Sequence, residues 1–358
     1  MLINKLLIND LRVIERLELL PVPGLNLFFG GNGAGKTSVL EAVYLAGRGR
    51  TFRHSSAGPM IRHGADATTI VVDLLDEDSR RESRLGVRRG KSELVCRLDG
   101  DDVRKRSRLA EALPVQWVGS QPQAFLDQGP EVRRRFFDMG LFHVEHGYLV
   151  VYSDNHRTLK QRNAALKTND ARTATAWNAA FAAAAEAIHA YREPFIAKLM
   201  KRVQELTQAW DMAFEVAYRY RKGWSDGKQL VDQLQDRLEL DMRMGFTSIG
   251  PQRAEVELLA DGANAEKTLS RGQQKMLVLA LNLALAELQG VRAGRKPVML
   301  IDDLNAELDH ENQDKVVAAL VDLGVQVFLT SIAEPKESVQ KLAGAMFHVE
   351  HGQLIGHA

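Results

Sequence analysis

The nine residues Gly30–Ser38, GGNGAGKTS, constrain this chain more than any other stretch. They fit the pattern G-x-x-x-x-G-K-[ST], with Gly30, Gly35, Lys36 and Thr37 in the fixed positions. The apolar run Leu25–Phe29 before them reads as a strand, and Ser38–Leu45 after them as a helix. Strand, glycine-rich turn and helix together make a phosphate-binding loop at the start of an α/β layer. Gly30, Gly31, Gly33 and Gly35, with Asn32 and Ala34 between them, let successive N–H groups turn inward around a phosphate. The helix N-terminus adds its dipole, Lys36 a point charge, and the Thr37 hydroxyl a ligand for Mg²⁺. The expected ligand is a nucleotide with Mg²⁺, bound through Gly30–Ser38.

The 358 residues suit one large domain with an insertion, or two domains. Net charge is only +1, so affinity for a polyanion must come from local clusters. A single cysteine, Cys96, excludes an intramolecular disulfide and any multi-cysteine metal site. No apolar run approaches the ~20 residues a membrane helix needs. The first residues, Met1–Leu6, read as an edge strand rather than a signal segment, and a cytoplasmic protein is expected.

Along the chain, residues 1–75 alternate short apolar runs with turns. From Arg80 to Arg108 eleven Lys/Arg stand against five Asp/Glu. From His156 to Trp210 Ala- and Leu-rich sequence shows helical periodicity, with breaks expected at Thr168–Asp170 and at Pro194. The α/β character returns after Gly250, with a final strand pair at Val325–Leu329 and Ala345–Val349. The layout predicted is a head in two parts, 1–130 and 246–358, around a helical arm at 131–245. The repeat Phe-His-Val-Glu-His at 142–146 and 347–351 reads as coincidence, not as duplication or a metal site.

Two further motifs complete the nucleotide site. Pro297–Asp303 is an apolar strand ending in paired acids. Asp302 is placed to hold Mg²⁺ or its water, and Asp303 to orient or deprotonate an attacking water. Upstream, Ser270 sits where a helix N-cap belongs and Gly272 permits close backbone approach. The stretch Leu269–Gln274, LSRGQQ, resembles the signature motif of ABC-type ATPases, and Asn305–Asp309 their D-loop. The resemblance implies that Ser270, Gly272 and Gln273 act in trans on nucleotide held by a second copy. ATP would then drive homodimerisation and hydrolysis would release it. Lys36, Asp302 and Asp303 form the implied catalytic set, with Asp309 at the dimer seam.

The opening segment Ile8–Arg12 with Leu17–Leu19 resembles the heads of chromosome-maintenance ATPases, in which the position of Arg12 lies near the nucleotide. The fold implied is α/β, an ABC-type (Rad50/SMC-like) P-loop ATPase head with an inserted helical arm domain. Long coiled coils do not fit in this length. Within that group the chain resembles the RecF family, on Gly49–Arg53, Gly129–Asp138, Leu159–Asn163, Ser248–Arg253, Leu269–Gln274 and Asp302–Asp309. That family implies recombinational repair and replication restart, with RecO and RecR helping to place RecA on gapped DNA, and support of the SOS response. It also implies a weak, DNA-stimulated ATPase. Departures are Arg271 where glutamine is common, Gln252 where histidine is common, and Ala254-Glu255 in place of an acidic pair. The switch region Leu329–Ile332 lacks the histidine of transporters. A Q-loop glutamine that helps hold the metal is expected after Val115–Val118, with Gln121 and Gln123 both candidates.

Candidate DNA contacts are the Arg80–Arg108 cluster, Arg133–Arg135, and Lys160, Arg162, Lys167, Arg192, Lys198, Lys201 and Arg202. For Arg133–Arg135 a structural role at the head–arm junction or with Asp138 is the alternative. Aromatics are sparse and not interleaved with these runs, which favours backbone contact to gapped or duplex DNA. A transporter subunit and a purely ATP-gated adaptor are the rival readings.

Overall fold

The computed structural model describes residues 1–53, 58–77, 79–119, 121–293, 296–304 and 308–357. The chain forms two compact units, one of Met1–Pro122 with Ala286–Ala358, the other of Gln123–Leu285.

The first unit opens with β1 (Leu2–Leu11), β2 (Ile14–Leu19), β3 (Leu25–Phe29) and α1 (Lys36–Arg48). Then follow β4 (Ala67–Leu75), β5 (Glu82–Gly90), β6 (Leu94–Leu98), β7 (Asp101–Asp102), α2 (Arg106–Ala112) and β8 (Val115–Val118). One sheet is antiparallel, in the order β2-β1-β4-β5-β6-β7. The expected edge strand at Met1–Leu6 is therefore internal. A two-residue turn at Arg12-Val13 folds β2 onto one side of β1, and β4 covers the other. Ile3, Leu6, Ile8 and Leu11 are fully buried, so β1 belongs to the core rather than a rim.

The second unit begins with α3 (Ala124–Asp127), α4 (Pro130–Val144), α5 (Tyr148–Lys167), α6 (Ala171–Ala176) and α7 (Asn178–Ala209). It continues with β9 (Val216–Arg221), α8 (Leu230–Asp236), α9 (Leu238–Met244), β10 (Glu255–Ala260), β11 (Ala263–Asn264), α10 (Ala265–Thr268) and most of α11 (Arg271–Ala293). This unit is wider than the 131–245 expected for the arm. β10 pairs with β9 from Glu255↔Arg221 to Ala260↔Val216, which ties the following segment to the helices. The break at Thr168–Asp170 is present: Asn169 is left-handed and the Asp170 side chain accepts from Thr173 N. The break at Pro194 is not. An interior proline costs roughly 3 kcal/mol, but α7 buries Phe181, Ala185 and Ile188 before it and Phe195, Ile196, Leu199, Met200 and Val203 after it. That continuous apolar stripe outweighs one lost hydrogen bond.

Two buried ion pairs fasten the second unit. Arg162 and Asp241 are both fully buried, with Arg162 Nη1 donating to Asp241 Oδ2 at 2.8 Å and Thr247 Oγ1 at 2.7 Å. Arg162 Nε donates to Asn178 Oδ1 at 2.8 Å, so the guanidinium joins α5, α7, α9 and the loop after it. Arg192 chelates Asp138 at 2.8 and 2.9 Å, donates to Pro251 O, and shares Asp138 with the Tyr148 hydroxyl. Burial carries the Tyr148 phenol far above its ordinary pKa, and the Asp138 charge adds to it.

The first unit closes with β12 (Val298–Ile301), α12 (His310–Leu323), β13 (Val327–Ser331), α13 (Glu337–Gln340), β14 (Ala345–Glu350) and β15 (Gln353–His357). Its second sheet runs β15-β14-β3-β13-β12-β8, parallel except for β15. The last strand pair of the sequence is thus split, with β3 between β13 and β14. Phe28 stacks between Phe328 and Phe347, at 5.8 and 5.0 Å. Helix α1 buries Val39, Leu40, Val43 and Ala46 in the same core as β1 and β3. The two copies of Phe-His-Val-Glu-His differ in structure: the first ends α4, the second lies on β14 and its turn.

Candidate functional site

The phosphate loop connects β3 to α1 at the carboxyl edge of the parallel sheet. Gly30, Gly33 and Gly35 have φ of 146°, 78° and 116°, values that side chains resist. A Cβ on Gly30 would lie 2.2 Å from Val349 O of β14, so only glycine fits there. Two turns meet at the loop. Gly352 of the β14–β15 turn donates to Ala34 O at 2.8 Å, and Val13 of the β1–β2 turn borders Gly35. Asn32 is exposed, and Ser38 is buried in the first helical turn.

Lys36 is almost wholly buried, and its Nζ donates to Gly30 O at 2.6 Å and Gly31 O at 2.8 Å. Burial lowers its pKa, while Asp303 and Asp302 pull it back up. The ammonium thus sits inside the loop facing two acids from another strand. Thr37 Oγ1 donates to Asp302 Oδ1 at 2.9 Å. The same oxygen accepts from Thr330 Oγ1 at 2.8 Å, and Thr330 Oγ1 accepts from Asp303 N at 2.9 Å. Asp303 is held at φ 51°, a left-handed backbone uncommon outside glycine, asparagine and aspartate. Thr330 was absent from the expected set. It lies on β13, the strand flanking β12, which carries Asp302 at its end, and only that pairing brings it to the acids.

A hydroxyl and a carboxylate within hydrogen-bond distance form a hard-oxygen pair that suits Mg²⁺ sharing phosphate oxygens. Among the described residues no group of three or more His, Cys, Asp or Glu could hold a metal. Thr37 and Asp302 therefore fit a metal that also leans on its nucleotide.

Arg12 stands at the β1–β2 turn beside the loop. Its guanidinium chelates the buried Glu41 of α1 at 2.5 and 2.9 Å and donates to Pro59 O at 3.0 Å. Gln121 is exposed three residues beyond Val118, whose carbonyl accepts from Asp302 N at 2.9 Å. Gln123 opens the second unit, buried, with its Oε1 lacking a hydrogen-bond partner among the described residues.

The signature residues belong to the second unit. Ser270 N donates to Gln273 Oε1 at 2.9 Å, and Gln273 N to Ser270 Oγ at 3.3 Å. This reciprocal capping box opens α11, leaving Ser270 and Arg271 exposed and Gly272 half-buried. Of the D-loop, Asn305–Glu307 lie outside the described residues. Leu308 is buried, and exposed Asp309 caps α12 through Asn312 N at 2.9 Å.

Several expected DNA contacts are corrected. Arg162 and Arg192 are buried in the ion pairs above. Arg133 chelates Glu255 at 2.9 and 3.1 Å, and Arg134 donates to Ala254 O at 2.7 Å. That is the structural alternative, with Glu255 rather than Asp138 as the partner. Arg135 is exposed on Glu131, and Lys160, Lys167, Lys198 and Lys201 are exposed.

The family model described as the RecF/RecN/SMC N-terminal domain matches residues 2–353. The DNA replication and repair protein RecF of Stutzerimonas stutzeri is 36% identical over 362 residues, covering 99% of this chain and 97% of its own. That of Chromohalobacter salexigens is 38% identical over 352 residues, covering 96% and 97%. Among solved structures, the recombination mediator protein RecF with ATP, from the RecFOR pathway, aligns with a TM-score of 0.87 at 20% identity, over 99% of this chain and 97% of that one. The Smc head domain of Pyrococcus furiosus, bound to part of ScpA, aligns at 0.63 and 16% over 99% and 95%. The fold is that of an ABC-type ATPase head.

Proposed function

This chain belongs to the RecF family of RecF/RecN/SMC ATPases, and from that premise we propose that it is an ATP-switched DNA-binding protein of replication and recombinational repair. ATP and Mg²⁺ drive a homodimer that clamps DNA, and slow, DNA-stimulated hydrolysis releases it. RecO and RecR are its partners in placing RecA at gaps, with a consequent role in the SOS response, in the cytoplasm. The RecFOR pathway of the structural relative supports this choice of partners.

The observation that carries the reading is the set Lys36, Thr37, Asp302, Asp303 and Thr330, gathered by hydrogen bonds and charge around one glycine loop. Thr37 and Asp302 would hold magnesium, which would supply positive charge against the phosphates. Lys36 supplies the positive charge, already desolvated. Thr37 and Asp302 orient one another through their 2.9 Å bond and are the metal ligands, with Gln121 following on the adjacent strand end. Asp303, fixed by Thr330, positions water and takes its proton. Arg12 braces α1 through Glu41 at the nucleotide's flank. Ser270, Gly272 and Gln273, presented at the start of α11, serve the partner's nucleotide.

Mixing tests the trans arrangement. Lys36→Arg and Ser270→Arg chains are each expected to be inactive. Their mixture has one intact site in the half of dimers that are mixed, giving about a quarter of the wild-type rate. A mixture as inactive as its components rejects the arrangement. Light scattering that finds only monomer with ATP and Mg²⁺ rejects the dimer itself.

A further inference from the structure

We propose that the carboxyl end of α1 carries a DNA-backbone surface built from Arg50, Arg53, Arg89 and Arg106; the assignment rests on the DNA-binding reading above. It comes from sorting the basic stretch by partner. Arg84 lies on Asp73 at 2.6 Å, Arg97 on Asp102 at 3.2 Å, Arg108 on Glu111 at 3.4 Å, Arg81 on Asp99 at 3.5 Å, and Arg88 on Glu93. Those charges are offset. Arg104 and Lys105 line a surface hollow with Asp99, Asp101 and Asp102. Arg89 and Arg106 pair with no acid among the described residues, and neither do Arg50 and Arg53.

These four converge. Gly49 ends α1, and a Cβ there would lie 3.4 Å from both Arg106 Cγ and Leu94 Cδ2. Arg89 faces Leu94 across the β5–β6 pair. Burial raises the Cys96 thiol pKa, and Arg106 and Arg89 oppose it, so both charges are within electrostatic reach of that residue. Arg50 and Arg53 follow Gly49 directly and are exposed. Their loop is fixed rather than loose. Phe52 stacks on Trp117 at 3.7 Å with Tyr44 at its edge, and the Thr51 hydroxyl donates to Glu41.

Four uncompensated guanidiniums on a rigid base repel one another until an anion arrives. Their forked donors suit phosphate oxygens, and Phe52 already gives one face to Trp117, leaving little aromatic surface for a base. The surface therefore reads backbone and not sequence. Glu41 holds both Arg12, beside the phosphate loop, and Thr51, beside the arginines. Nucleotide and DNA thus occupy opposite ends of one helix about 20 Å long.

The test compares two variants of equal charge in full-length protein with ATP and Mg²⁺: Arg50→Gln with Arg106→Gln, and Arg84→Gln with Arg97→Gln. Duplex binding is read by anisotropy against salt. Losing two phosphate contacts lowers the slope of log K on log salt by about 1.8, or roughly 60-fold in affinity at 0.1 M salt. That loss is expected in the first variant only, with binding of fluorescent ATP and thermal stability unchanged. Equal losses in both variants, or none in the first, overturn the assignment. Equal displacement of DNA by poly-glutamate at matched charge also overturns it, by making the patch a site for acidic protein. A wild type that binds no DNA with any nucleotide refutes the broader reading instead, while ATP binding and dimerisation stand or fall separately.

Discussion

Replacing Arg162 by methionine should cost the second unit about 3–5 kcal/mol, the penalty for stranding a buried charge. The figure follows from geometry. Asp241 and Arg162 have no solvent exposure, and Asp241 keeps only the Ser248 N–H, at 3.0 Å, once the guanidinium is gone. Thr247 and Asn178 lose a donor as well. At about 2–4 °C per kcal/mol for a unit of this size, the melting temperature falls by roughly 6–20 °C. Calorimetry or circular dichroism reads the shift. Arg162→Met with Asp241→Leu removes both charges and should recover part of the loss, since apolar replacement of a whole pair is often neutral. Below the transition, the salt slope of DNA binding should match wild type. A loss under about 1 kcal/mol, a double variant worse than the summed singles, or a reduced salt slope would each refute the reasoning.

Three further outcomes follow from the site and its surroundings. Asp303→Asn should keep ATP binding and lose about 10²–10⁴ in turnover, measured by phosphate release, because it removes the proton acceptor and little else. Gly30→Ala pushes a Cβ to 2.2 Å from Val349 O and should abolish ATP binding in a titration, whereas Gly24→Ala, at φ 80° with open space, should bind normally. At alkaline pH stability should fall. Burial raises the Tyr220 phenol to about 12 against 10.0, so between those values the folded chain holds a proton the unfolded chain has released. That contribution is complete below pH 10 and lost as pH rises through 12, at up to about 1.4 kcal/mol per pH unit. Tyr220→Phe should flatten the profile in denaturant titrations.

The candidate nucleotide site was legible because its chemistry is local: glycines, one lysine and one hydroxyl within nine residues, and two acids at the end of an apolar run. Thr330 was not, since a threonine near a strand end is common, and only strand order shows that it bonds both acids. The same limit explains the arginines. Arg162, Arg192 and Arg133 look in sequence like solvated cations on helices; their partners Asp241, Asp138 and Glu255 lie 54 to 122 positions away, except where the fold joins them. Pro194 misled because a local propensity was set against burial that only a packed helix reveals. Met1–Leu6 misled for a related reason, since a strand's neighbours are decided by turns and crossovers outside it.

The placing of β3 between β13 and β14 has a consequence for synthesis. The strand that feeds the phosphate loop leaves the ribosome about 300 residues before both strands that flank it, and the turn that bonds Ala34. At about 5–20 residues per second the interval is roughly 15–60 s. During it the glycine loop lacks its floor, and β3 shows two bare edges. Until β13, β14 and that turn follow, the glycine loop of a nascent chain lacks the contacts that shape it. The cost is a long exposure of an apolar strand.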